Sequence, residues 1–524
     1  MTHHVLLVAT VLVACGIQPM RTANILLYPF GHCVNSHLLN FEKLAAILLN
    51  DGHQVTMLVH DNYDGPHSGV NLSRVRLIHF KSPENVSVIC GFKSLQTFLD
   101  TPLWQIVATF YKSTFAFCDS LLGDHDVLQQ IKRENFDLAI YDAVDQCSRI
   151  LADYIDIPFI VFYTQGLENV FPRHPAYLPS LLTTYSDTMT LTQRVINTFG
   201  YVAQKLIAYT TLKYYQQLKL SHNLNTTRHI QNSYKAASLR FILGDHGLDY
   251  VGPMQPSDIL IGGFVQSKPK MIPSHITDFL DETGDEGVVV FSFGSILKYY
   301  GPVWREIFAE ALARLPHRVI WRYNETLPHN LGNNTLLVPW LPQSDLLAHP
   351  KVQVFVSHCG LNAAYEASYF GVPVVAIPLF ADQSYQATKL TLHAEMGVKL
   401  SIHSLTADGL YNAIMAVDTN SRYRLNAKRI SFIMNNKPQR QHDEIKHWVN
   451  YVVHLQGAPH LKSKEHDLTL CQYYMFDVLS ILLLSLFSMV IVMFFSTKFA
   501  FKAAIHLLMT HATTTSNDCT TSVH

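Results

Sequence analysis

The stretch WLPQSDLLAHPKVQVFVSHCGLNAAYEASYFGVPVVAIPLFADQ, Trp340–Gln383, decides the fold. Within it Val352–Ser357 (VQVFVS) is a short, β-branched, apolar run suited to a buried parallel strand. The run breaks at His358-Cys359-Gly360 and resumes as a helical pattern over Ala363–Phe370. A strand, a glycine turn and a helix start bring free backbone N–H groups and the positive helix end to one point, which suits a diphosphate. Asn362 and Glu366 are four residues apart and share one helix face beside that point. A second buried run, Val374–Pro378 (VVAIP), ends in Leu379-Phe380-Ala381-Asp382-Gln383 and delivers two polar side chains at a strand's carboxyl end. Open α/β sheets hold their ligands at that end.

The same alternation extends outward. The first half opens with a strand (Asn24–Tyr28), a loop (Pro29–Ser36), an amphipathic helix (His37–Asn50) and a strand (Gln54–Val59). A later unit runs from Phe136–Tyr141 through a helix at Gln146–Tyr154 to Pro158–Phe162. A second α/β region begins at Gly287, closes near Thr419 and is followed by a helix over Gln441–His454. Between the halves, the Pro-rich sequence Val251–Pro273 reads as linker. Two doubly wound sheets facing a cleft follow from this alternation. The expected organisation is a signal peptide (1–23), an N-terminal α/β domain (24–250), a linker (251–285), a C-terminal α/β domain (286–455), a membrane-spanning helix (476–497) and a tail (498–524).

Composition supports a membrane-attached chain. Its 524 residues exceed one ordinary core, and only 15% are charged. Mean hydropathy is +0.11. A formal net charge of −1 gives no electrostatic reason to invoke nucleic acid. The 28 histidines are scattered, with no HExxH and no paired-Cys spacing, so no metal site is expected. The eight cysteines include no CxxC, and spacing does not say whether any pair. His4–Ile17 has the apolar character of a secretory h-region, and five N-x-S/T sequons (Asn71, Asn85, Asn225, Asn324, Asn333) fit a lumenal chain. Val478–Phe495 is uncharged and long enough to cross about 30 Å of hydrocarbon. Lys498 and Lys502 follow it, which places the short tail in the cytosol and the body in the lumen as a single-pass type I protein.

Taken position by position, Trp340–Gln383 resembles the signature of the UDP-glycosyltransferases, in the animal membrane-bound branch that includes the UDP-glucuronosyltransferases. The resemblance runs from about Asn24 to Lys502 and includes FSFGS (Phe291–Ser295), RVIWR (Arg318–Arg322), GAPHL (Gly457–Leu461) and the C-terminal anchor. LGNNT (Leu331–Thr335), WLPQSDLL and CQYYMFDVL (Cys471–Leu479) look closest to the ceramide galactosyltransferase subgroup. The resemblance implies a GT-B fold and an endoplasmic reticulum protein that moves a sugar from a UDP-sugar, inverting its anomeric centre, to a hydroxyl of a small lipophilic acceptor. The UDP-sugar is a co-substrate, and no cofactor is expected. A homo-oligomer is compatible with the family, and this tail, ending CTTSVH, lacks its dilysine retention signal. A catalytically silent protein that binds nucleotide sugar is the alternative reading.

The resemblance also assigns residues. The family's catalytic histidine precedes a Gly-His pair by a fixed helix length, and His37 stands sixteen positions before His53 of Gly52-His53. An imidazole is suited to act as a base near neutral pH; His32 is its rival. Asp142, ending the strand Phe136–Tyr141, matches the aspartate that partners this histidine, with Asp145 nearby as the residue to be distinguished from it. In the donor half, Trp340 is expected to stack on uracil and Gln343 to bond its edge. Gly360 and Asn362 line the phosphate turn, with His358 at the diphosphate. Glu366 is assigned to the ribose hydroxyls, and Asp382 and Gln383 to the sugar. Ser295 caps a helix start near the phosphates. Cys359 replaces the usual glycine, a modest restriction if its φ is negative. Some glucuronyl-transferring members carry Arg nineteen positions before the Gly262-Gly263 pair; Leu243 stands there, which makes UDP-glucose or UDP-galactose an alternative donor to UDP-glucuronate. Acceptor recognition is expected in the apolar, largely helical stretch Pro172–Leu220.

Overall fold

The computed structural model describes residues 22–518, apart from 32–34, 67, 84–93, 165–173, 225, 227, 265, 267–270, 295, 296 and 298. The candidate residues His32 and Ser295, the signal segment 1–21 and the sequons at Asn85 and Asn225 lie outside the described residues.

Seven apolar runs form the first sheet: β1 (Asn24–Tyr28), β2 (Gln54–His60), β3 (Arg76–Phe80), β4 (Leu138–Asp142), β5 (Phe159–Tyr163), β6 (Leu239–Ile242) and β7 (Asp258–Leu260). All pairs are parallel, in the order β3-β2-β1-β4-β5-β6-β7, with Leu27 facing Met57 on one side and Ile140 on the other. Strand β7 corrects the sequence reading, which placed residues 258–260 in the linker. Three residues after Pro253 and Pro256 are too few to show a period, and only pairing with β6 makes them a strand.

The second sheet is β8 (Val288–Ser292), β9 (Arg318–Arg322), β10 (Thr335–Val338), β11 (Val352–Ser357), β12 (Val374–Ala376) and β13 (Gly397–Lys399), also parallel, in the order β10-β9-β8-β11-β12-β13. Its central strands are buried on both faces, which is why VVVFS and VQVFVS read as near-continuous apolar runs. In each sheet the strand order reverses beside the first strand. The crevices at the carboxyl ends of β1/β4 and β8/β11 are therefore where a ligand fits.

Helix α1 (Asn35–Asn50) buries Leu38, Phe41, Leu44, Ala45 and Leu48 on one face, so its amphipathic spacing becomes core packing. It starts two residues earlier than expected and puts His37 in its first turn. Further along come α2 (Leu95–Asp100), α3 (Leu103–Gly123), α4 (Cys147–Ile155), α5 (Leu191–Ser221), α6 (Leu361–Phe370), α7 (Gln383–Thr388), α8 (Gln441–Leu455) and α9 (Phe476–Asp518). A disulfide between Cys118 and Cys147, whose Cα atoms are 5.5 Å apart, joins α3 to the start of α4.

The two halves are braced across their junction. Asn450 Nδ2 on α8 donates to Asp51 Oδ2 at 2.7 Å, just after α1, and Lys446 lies 3.5 Å from the other carboxylate oxygen. Leu95 N donates to Tyr299 O at 2.8 Å, and Phe98 packs on Phe380 with ring centroids 4.9 Å apart. Residues Lys462–His524 form a separate compact unit. In it Phe476–His511, with a mean hydropathy of 2.8, is long and apolar enough to cross a membrane. The helix runs on past the expected boundary at 497, because nothing between Lys498 and Asp518 is a glycine or proline.

Candidate active site

The carboxyl ends of both sheets open onto one cavity of about 1130 Å³. Its walls include His37, Thr164, Arg322, Trp340, Gln343, His358, Gly360, Asn362, Glu366, Asp382 and Gln383. Thus nine of the residues singled out in the sequence line one cavity, with Asp142 directly behind His37.

The N-terminal wall is a three-residue network. His37 Nδ1 lies 2.8 Å from Asp142 Oδ2 and 2.7 Å from Thr164 Oγ1. Thr164 Oγ1 in turn donates to Asp142, at 3.1 Å from Oδ1 and 3.3 Å from Oδ2. Asp142 is fully buried and also accepts from Val144 N at 2.9 Å. A proton on Nδ1 satisfies the carboxylate and leaves the Nε2 lone pair for the cavity, the tautomer a general base requires. Asp145, the rival carboxylate, is committed elsewhere: it accepts from Tyr28 OH at 2.7 Å and Cys147 N at 2.9 Å. Thr164 was missed in the sequence, although it directly follows the apolar strand FIVFY and so obeys the strand-end rule that found Asp142.

On the opposite wall, β11 delivers His358 and then α6 begins at Leu361, with Gly360 as an N-cap that carries no side-chain cap. The imidazole needs both neighbouring glycines. A Cβ on Gly294 would sit 2.5 Å from His358 Cε1, and one on Gly360 would sit 2.7 Å from Nε2. Burial pulls the His358 pKa down to about 4, with Arg322 pushing in the same direction. In the unliganded pocket the ring is therefore neutral at neutral pH, with a single N–H to donate. Its Nδ1 has no protein partner. Cys359 has φ of +58°, so the condition under which its restriction would be modest is not met. The turn needs a left-handed residue, the conformation glycine adopts without cost. Burial pushes the Cys359 thiol up to about 12, so it is an inert space-filler.

Farther along α6 the expected roles overlap. Gln343 Nε2 donates to Glu366 Oε2 at 2.5 Å, so the amide assigned to uracil and the carboxylate assigned to ribose are coupled. Burial raises the Glu366 pKa, and Lys43 of α1 opposes that shift. Asn362 reaches across to α1, where its Nδ2 donates to Asn40 Oδ1 at 3.1 Å. Trp340 is half exposed on the cavity rim, with the Arg322 guanidinium 5.3 Å from its ring centroid. Arg322, the last residue of β9, was also missed, and its Nε has no protein partner. Gln383 spends its amide oxygen on Leu379 N at 2.8 Å and Phe380 N at 3.2 Å, which leaves its NH₂ for a ligand.

Two expectations fail on geometry. Leu243 does not line the cavity but is buried in the core among Phe241, Ile261 and Phe264. Arg240 does not reach the cavity either, since it pairs with Asp258 at 2.5 Å and Gln255 at 2.8 Å. No described residue of 174–221 touches the cavity. Its apolar side comes instead from Phe30, Phe98, Ile106, Val107 and Phe110, mostly from α2 and α3. Apolar composition located a surface, not the pocket.

The family model for UDP-glucoronosyl and UDP-glucosyl transferases matches residues 24–510. The chain belongs to the UDP-glycosyltransferase family. This transferase is 31% identical to the rat 2-hydroxyacylsphingosine 1-beta-galactosyltransferase over 503 residues, covering 94% of the chain and 92% of the relative. It is 32% identical to mouse UDP-glucuronosyltransferase 1A7 over 480 residues, covering 88% of each. Among solved structures, a UDP-glucosyltransferase from Polygonum tinctorium superposes with a TM-score of 0.57 at 15% identity, covering 83% of the transferase and all of that chain. The calicheamicin glycosyltransferase CalG4 gives 0.54 at 17%, with the same coverage. The fold is GT-B.

Proposed function

We propose that this UDP-glycosyltransferase moves a neutral hexose, glucose or galactose, from UDP to a hydroxyl of a small lipophilic acceptor, with inversion. The observation that carries this reading is the His37–Asp142–Thr164 network facing, across one cavity, the α6 N-terminus, His358 and Trp340. His37 Nε2 takes the acceptor's proton as its oxygen forms the bond to the anomeric carbon. The carbon–phosphate oxygen bond breaks on the opposite side, and UDP leaves with both electrons. Its charge falls on the uncapped N–H groups of α6 and on the His358 N–H. Asp142 holds the Nδ1 proton and stabilises the imidazolium that forms. Trp340 stacks on uracil, Gln343 and Glu366 take its edge and the ribose, and Asp382 with the Gln383 NH₂ takes sugar hydroxyls. Side chains and a helix end thus supply the phosphate stabilisation.

A neutral sugar is favoured because a glucuronate carboxylate taken from water needs a cation beside it. Leu243 and Arg240 do not reach the cavity, and of the cations that line it Arg322 stands beside Trp340 and Lys43 beside Glu366, on the side read for uracil and ribose and not on the side read for the sugar. The relatives include both galactosyl- and glucuronosyltransferases, so the donor rests on this chain's own cavity. The body is read as lumenal in the endoplasmic reticulum, anchored by α9. A disulfide, and sequons exposed at Asn71, Asn324 and Asn333, both fit an oxidising secretory compartment. The test is product analysis by mass spectrometry, with the full-length protein in nanodiscs offered UDP-glucose, UDP-galactose and UDP-glucuronate alongside a panel of lipophilic alcohols. A strong preference for UDP-glucuronate would overturn the donor, pointing to Arg322 or Lys43 as the carboxylate's partner. UDP binding without transfer to any alcohol would favour the silent alternative.

A further inference from the structure

Helix α5 is built in a way that the transferase reaction does not explain. Its 31 residues extend about 46 Å, yet only Asn197, Tyr215 and Lys219 are buried. It is held near its two ends. Asn197 Nδ2 donates to the carbonyls of Pro175 and Leu178, at 2.8 and 2.9 Å. Farther on, Tyr215 packs on Phe115 of α3, centroids 4.5 Å apart, and Lys219 pairs with Asp153 at 3.0 Å. Leu191, Val195, Phe199, Val202 and Leu206 recur every three or four residues along one face, and that face is uncovered. Phe199 is 72% exposed and Leu206 60%. A helix bathed in water presents polar residues outward, and an apolar stripe this long marks a surface that something covers.

Charge identifies the cover. Helix α5 contains no Asp or Glu, while Arg194, Lys205 and Lys213 stand exposed along it. A broad apolar face with basic residues and no acidic ones describes a helix lying in a lipid–water interface, where each cation also attracts anionic headgroups. A second copy laid face to face would bury the apolar stripe but oppose two sets of cations. A bilayer satisfies both features. The chain also supplies the tether: residues 462–475, between the body and the helix long enough to cross a membrane, reach about 50 Å at most when fully extended.

We propose that the exposed face of α5, together with Trp104 near the start of α3, docks on an anionic lipid surface. Trp104 is 73% exposed, and an indole prefers the headgroup level of a bilayer. Val107 and Phe110 follow Trp104 at three-residue spacing on α3, partly exposed while also lining the cleft cavity, so the apolar run that begins at Trp104 leads to the cleft.

The experiment uses the full-length protein in vesicles carrying a phospholipid with a photoactivatable diazirine in its acyl chain, followed by tryptic mapping of lipid adducts. Adducts on residues 195–205 and 206–213, besides those on α9, are the expected result. They should increase at least twofold when phosphatidylserine replaces part of the phosphatidylcholine, and fall several-fold in Phe199→Asp and Leu206→Asp. Adducts confined to α9 overturn the proposal. So does an oligomer in detergent that Leu206→Asp dissociates while α5 stays unlabelled in vesicles, since the cover is then a second copy.

Discussion

The base role proposed for His37 needs its proton on Nδ1, which lies within hydrogen-bond distance of both Asp142 and Thr164. His37→Ala is expected to lower turnover by roughly 10²–10⁴-fold with little change in UDP affinity, because a general base acts in the transition state. Parallel losses in a UDP-binding titration would mark the residue as structural. Thr164→Val should cost several-fold in kcat with KM for UDP-sugar unchanged, and Thr164→Ser should restore activity; failure of the serine to rescue would remove the hydroxyl from the network. At Cys359 the left-handed backbone sets the tolerance. Cys359→Val should destabilise by about 2 kcal/mol, since a β-branched residue is strained at positive φ, whereas Cys359→Gly should be accepted. Thermal unfolding of the two variants checks this. For His358, whose folded pKa is about 4 against an ordinary value near 6.5, the sign follows from linkage. Between those values the unfolded chain binds a proton that the folded ring refuses, so the burial of His358 costs stability as pH falls from about 6.5 to 4. The melting temperature of unliganded protein should show a shallower acid slope in His358→Gln; an unchanged slope would mean that the ring titrates normally.

Helices and strands met their expected places where burial and periodicity coincide. The strand–turn–helix over 352–370 was legible because a fully buried strand must be apolar throughout and a phosphate turn must free its N–H groups. Strand β7 and the positive φ of Cys359 were not legible, since both follow from what the neighbouring chain does. The disulfide belongs here too, because eight cysteines leave the pairing open until α3 and α4 are packed together. It closes a loop of 29 residues, so Cys118→Ser with Cys147→Ser should lower stability by about 2–4 kcal/mol. Denaturant unfolding of the reduced and variant proteins measures it, and a change below about 1 kcal/mol would show that helix packing alone fixes that junction.

For the entire chain, a lumenal body makes a direct expectation. Protein made through the secretory pathway should shift in mobility on endoglycosidase treatment, with Asn71→Gln, Asn324→Gln and Asn333→Gln each removing a step. Unmodified asparagines at all three exposed sequons would argue for the other side of the membrane.

What the sequence determined by itself is what local chemistry dictates. Runs of β-branched residues can only be strands buried on both faces, glycines and polar residues at their carboxyl ends can only be turns facing a ligand, and an uncharged run from Val478 to Phe495 is long enough to span a bilayer. The family's positions His37, Asp142, His358 and Glu366 lie on those strand ends and helix starts, so they too could be read. Only tertiary structure decided which groups share a proton, which lie too deep to act, and which apolar surface is the pocket. Thr164 and Asp142 are 22 residues apart in sequence and meet because β4 and β5 are neighbours. Leu243 drops out because its side chain falls on the core side of the sheet. Helix α5 looks like a binding pocket in composition but faces outward. Side-chain identity is local; orientation and distance depend on how the sheets are wound.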